Sequence, residues 1–117
     1  MEKPDLELKA LSSFVGTQRY YNVMGVNVTE GVKYLMDNGY SWFVTDAIAV
    51  ILAKWGLRNA DFLVIRLNLD DEKAEADMII DDGNDNVLYR QHYGFTDAKR
   101  SLKLYYADRV MMLPTEY

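Results

Sequence analysis

The sequence predicts an α+β domain in which N-terminal helices pack on a C-terminal five-stranded antiparallel β-meander. Two observations predict it. Apolar residues recur at helical spacing through much of the first half, and from Asp61 onward they recur at every second position. A third supports it: the two hairpins of the second half can be closed so that one face of three neighbouring strands is apolar. The chain has 117 residues, one domain's worth, and half of them are hydrophobic, enough for a sizeable core.

The elements follow in order. Pro4 suits the first turn of a helix, and Leu6, Leu8, Leu11 and Phe14 lie close to one helical face ending at Gly16. "TQRYYNVMGVNV" mixes aromatic and β-branched residues with a glycine and reads as a short strand or hairpin. Thr29 suits an N-cap, with Glu30 in the first turn, Val32, Leu35 and Met36 as the apolar stripe, and Gly39 as the stop. A third helix begins between Ser41 and Asp46, runs to about Trp55 and is apolar almost all round. Asp46 is expected in its first turn, where the helix dipole favours a carboxylate.

The expected strands are 62–69, 74–80, 87–95, 102–106 and 110–113, and short connections predict antiparallel neighbours. Closing the first hairpin on Leu69 and Ala74 sets Ile65 against Met78 and Leu63 against Ile80. Closing the second on Ile80 and Val87 sets Met78 against Tyr89. On the other face, Asp77 then lies between Arg66 and Arg90, and Glu75 between Asn68 and His92. The same register places Val64, Ile79 and Leu88 side by side, with Phe62 just beyond. That is either a surface under a helix or an exposed apolar patch suited to a partner or a homodimer.

Charge is unevenly placed. The net charge is −5, but residues 70–85 alone hold eight acids against Lys73. Glu75 and Asp77 are expected to pair with basic or polar neighbours across the strands. Six acids remain for the turns: Asp70, Asp71 and Glu72 in one, Asp81, Asp82 and Asp85 in the other. These six are the candidate partner-binding residues, presenting carboxylates to a basic protein surface as phosphates are presented by nucleic acid. The alternative is a solvated edge that keeps the protein soluble.

Other chemistries are poorly supported. "DDGNDN" has its glycine too early for an EF-hand loop, and no Glu follows at the required place. There is no Cys and one His, so neither disulfide nor structural zinc is expected, and no cofactor or metal. No phosphate loop, dinucleotide fingerprint or nucleophile elbow occurs, and a triad would have to use His92. Basic residues are too scattered for direct nucleic-acid binding; the nearest cluster is "DAKRSLK". "QRYYNVMG" sets aromatics beside Arg19, for which core packing is the better reading. No secretory leader or membrane span is visible, so a cytoplasmic protein is expected.

"FVGTQRYY", "EGVKYL", Trp42 with "DAIA", and the ending "LPTEY" together resemble a family of small uncharacterised proteins of bacteria, phages and mobile elements, a domain of unknown function. The resemblance implies a context and brings no catalytic residues. It suggests a non-enzymatic inhibitor of a host nucleic-acid-handling or defence protein, such as a CRISPR complex. The alternative is a small-molecule-binding or catalytic domain with a pocket between helices and sheet.

Overall fold

In a computed structural model, residues 19–70, 72–96 and 98–117 are described. The first expected helix and Asp71 lie outside them. Strands β1 (Tyr21–Val23) and β2 (Val26–Val28) form a hairpin. Helix α1 (Glu30–Leu35) follows, then a wide turn, Met36–Tyr40, in which Asn38 and Gly39 leave helical geometry. Helix α2 is Ser41–Ala53, and α3 is the single turn Trp55–Arg58. The remaining strands are β3 (Leu63–Asp70), β4 (Glu75–Asp81), β5 (Val87–Tyr93), β6 (Leu102–Ala107) and β7 (Val110–Met112). A short 3-10 turn, Pro114–Glu116, ends the chain.

The five-stranded antiparallel meander is not what forms. All seven strands join one mixed sheet in the order β1-β2-β7-β6-β3-β4-β5. Two pairings overturn the meander. β6 pairs with β3 instead of β5, and the N-terminal hairpin joins the sheet through a parallel pairing of β2 with β7. The first has a physical cause legible in β3. Its Leu63, Val64 and Ile65 are all buried, which suits a central strand, and it is paired on both edges, by β4 and by β6. β5 is exposed or half-exposed along its whole length and takes the edge. The connection from Gly94 to Ser101 is long enough to return across the sheet. It is tied down where Thr96 N–H donates to the Ala74 carbonyl at 2.8 Å and where Leu69 N–H donates to Ser101 Oγ at 3.0 Å. The parallel pairing is continued by Asn27 N–H to Arg109 O and Thr29 N–H to Met111 O, both 3.1 Å.

The sheet's inner face and α2 share one core. Phe43, Val44, Ala47, Ile48 and Ile51 of α2 cluster with Leu63, Ile65, Leu67, Met78, Ile80, Leu104, Tyr106 and Met111. Thr29 does cap α1, its Oγ1 accepting from Val32 N–H. The other end of the chain completes that cap. Glu116 takes a hydrogen bond from Thr29 Oγ1 at 2.6 Å, from Gly31 N–H at 3.2 Å and from Leu113 N–H at 3.0 Å. Helix N-termini carry unpaired N–H groups, and a carboxylate there satisfies them. A Cβ at Gly31 would lie 2.5 Å from Leu113 Cδ1 and 2.6 Å from Glu116 Oε1, so any side chain there would displace Leu113 and the capping carboxylate of Glu116. Two stretches that carry the family resemblance, "EGVKYL" and "LPTEY", therefore meet here.

Candidate functional site

The site is built on β3, β4 and β5, and its geometry depends on their register. β4 pairs with β3 so that Ile65 faces Ile80, Leu67 faces Met78 and Asp70 faces Glu75. With β5, Met78 faces Gln91 and Asp77 faces His92. The first turn sits one residue further along both strands than expected and the second carries a bulge, so the cross-strand partners from Ala76 to Ile80 move by two. A shift of two preserves which face each residue occupies. Met78 is accordingly buried and Asp77 lies on the opposite face. The neighbours nevertheless change. Asp77 lies between Asn68 and His92, and Arg66 and Arg90 flank Ile79. The cause lies in the turns. Asp70 Oδ1 accepts from Glu72 N–H, which makes Asp70 both the last ladder residue and the first turn residue. At the other end a β-bulge between Ile80 and Asp81 takes up one residue of β5.

The turn acids divide into two groups. Asp81 is buried, and its carboxylate meets Arg66 Nε at 2.9 Å and Gly83 N–H at 2.8 Å. Asp82 accepts from Asn84 N–H, Asn86 N–H and Asn86 Nδ2. The Asn86 and Asn84 bonds hold its carboxyl below the ordinary value of 3.8. Asp85 is exposed with φ +65, and Gly83 has φ +88. A Cβ at Gly83 would sit 3.2 Å from the Phe62 ring. This turn is shaped by its own acids.

The β3–β4 end differs. Asp70 and Glu72 are exposed, and Asp70, Glu75, Asp77, Asn68, Lys73 and His92 line a recess of about 240 Å³. His92 stands between two carboxylates: Nδ1 is 2.8 Å from Asp77 Oδ1 and Nε2 is 2.9 Å from Glu75 Oε1. Only imidazolium has two N–H donors, so this geometry selects the charged ring. The hydrogen bonds to Asp77 and then Glu75 raise the His92 pKa above the ordinary 6.5. Arg90 reaches Asp77 only at 3.9 Å. An imidazole bridging two carboxylates holds both in place through charge-assisted hydrogen bonds. Among the described residues, no three or more His, Cys, Asp or Glu side chains are grouped to hold a metal ion.

The apolar trio is not side by side. Val64 is buried, facing Asp81 and Tyr105. Beside it Phe62, Tyr105 and Tyr117 pack edge to face at 5.1–5.5 Å. Ile79 is half-buried between the two arginines, and Leu88, at the bulge, is exposed with Val87.

Asp46 falls in the second turn of α2, not the first, because that helix starts at Ser41. Its Oδ2 accepts a hydrogen bond from the Tyr93 hydroxyl at 3.0 Å. This contact joins residues 47 positions apart and has no signal in the local sequence. Trp42, one helical turn before Asp46, lies edge-to-face on Tyr93 at 5.1 Å and 80°. Among the described residues, no helix is long and apolar enough to cross a membrane.

The family described as "Family of unknown function (DUF6876)" matches residues 5–117. No curated protein and no solved structure matches the chain.

Proposed function

The chain belongs to this family of unknown function, DUF6876, and we propose that it is a non-enzymatic interaction protein that engages a basic protein surface. The observation that carries the reading is the recess at the β3–β4 end. Three carboxylates, Asp70, Glu75 and Asp77, line it, and His92 fixes two of them in place. A lysine or arginine from a partner meets acids that are already oriented, so little side-chain entropy is lost on docking. Long-range attraction from the same cluster speeds encounter with a cationic surface.

The binding set is narrower than the six turn acids. Asp81 and Asp82 have their own intramolecular tasks, Asp85 does not line the recess and Asp71 lies outside the described residues, which leaves Asp70 and Glu72 with Glu75 and Asp77. Self-association through Val64, Ile79 and Leu88 is not part of this reading, because Val64 is covered. The partner this reading favours is a nucleic-acid-handling or defence protein, whose phosphate-binding surface is rich in Lys and Arg.

The test is a pull-down from bacterial lysate with wild type and with Asp70→Asn/Glu75→Gln. The wild type is expected to retain a basic partner at low salt and lose it at high salt, and the variant to lose it at both. A partner held equally by both proteins at all salt concentrations would refute the reading.

A further inference from the structure

His92 and Tyr93 are neighbours on β5 and point to opposite faces of the sheet. Behind the acidic face lies a second recess of about 180 Å³, lined by Trp42, Tyr93, Phe95 and Thr96. Three of its four walls are aromatic. Trp42 and Tyr93 meet at 80°, so their ring planes make a right-angled corner. Phe95 is 78% exposed, a large apolar side chain left at the rim. The Asp46 carboxylate is one hydrogen bond from this corner, at the Tyr93 hydroxyl.

We propose that this recess is an aromatic cage for a methylated ammonium group. Aromatic faces carry partial negative charge and attract cations whose hydration is weak, and a quaternary ammonium is the best match. A plain hydrophobic slot needs no carboxylate; here one sits against the tyrosine and adds negative potential. Burial, with Asp46 next, pushes the Tyr93 hydroxyl above its ordinary range, so the phenol keeps its proton and its bond to the carboxylate. Lys33, Lys54 and Lys103 lie over the rings of Tyr21, Tyr89 and Tyr105, so aromatic faces already hold cations elsewhere in this chain.

The test compares choline with 3,3-dimethylbutan-1-ol, which has the same shape without the charge. Binding is read from the Trp42 indole N–H resonance. Trp55, which is exposed on α3, serves as an internal control. Choline is expected to shift Trp42 and to bind at least about tenfold more tightly than the alcohol, equivalent to ~1.4 kcal/mol. Phe95→Ala, at an exposed position that leaves the fold intact, is expected to weaken choline binding several-fold. Asp46→Asn, which keeps an acceptor for Tyr93, is expected to do the same. Equal binding of choline and the alcohol would overturn the cationic selectivity, and no shift of Trp42 with choline would overturn the cage. A trimethyl-lysine peptide distinguishes the source: tighter binding than choline assigns the group to a polypeptide, weaker binding to a free small molecule. Because cage and acidic recess lie on opposite faces, Phe95→Ala leaves the pull-down unchanged if both readings hold.

Discussion

The two turns that cap β4 look alike as sequence and do different work. "LDDEK" and "DDGND" are both short and acidic. In the second, two of the three acids are consumed by the fold: Asp81 neutralises Arg66 from a buried position and Asp82 ties three donors of its own loop. In the first, Asp70 and Glu72 stay exposed, and the neighbouring Glu75 and Asp77 are braced by His92 around a recess. The difference teaches that charge density alone does not mark a binding surface. What separates the two is how far the fold takes up the carboxylates of the turn: Asp81 is buried on Arg66 and Asp82 accepts three hydrogen bonds, whereas Asp70 accepts one backbone N–H and stays exposed.

The largest expected effect comes from the buried acid. Asp81→Ala removes the partner of Arg66 and of Gly83 N–H, and should cost about 2 kcal/mol of stability, since Arg66 can partly rehydrate. Urea denaturation measures it. A loss below about 0.5 kcal/mol would make the two turns equivalent.

The next effect depends on pH. The folded-state pKa of His92 is raised, so its contribution to stability is fully present below 6.5 and is lost as pH rises through the folded value. Binding of a basic partner runs the other way. The recess gains negative charge when His92 loses its proton, so association should strengthen over the same interval. Thermal melts and binding titrations from pH 5 to about 9, with His92→Gln as the flat control, separate the two trends. Stability and affinity moving in the same direction would remove His92 from the account.

Asp82 acts at the acid end. Its lowered pKa means its contribution is present above 3.8 and fades as pH falls through the folded value. Melts of Asp82→Asn should therefore show a shallower loss of stability under acid than wild type does. Asp70→Asn with Glu72→Gln gives the smallest effect on folding, within about 0.5 kcal/mol by denaturation. A larger loss there would show that these acids too are structural.

Face assignments were legible in the sequence because a strand alternates with period two, and Met78 in and Asp77 out survive any even shift. The Thr29 cap was legible from residue type. The partner of each strand was not. β2 meets β7 across some 80 residues of chain, and the alternation along β3 does not say that β6 is its second neighbour. The contact of His92 with Glu75 was anticipated, but its direct facing of Asp77 was hidden by the β-bulge at Ile80 and Asp81, which shifts the β4–β5 register. The Trp42–Tyr93–Asp46 contact depends on how α2 meets the end of β5, a tertiary matter.

The most direct test of the contrast between the two turns is to titrate an oligo-arginine peptide while following backbone amide and His92 ring resonances. The account predicts shifts concentrated at Asp70, Glu75, Asp77 and His92, weakened by salt and by lowering the pH through the His92 titration. Equal shifts at Asp82 and Asp85, or shifts at that turn alone, would contradict it.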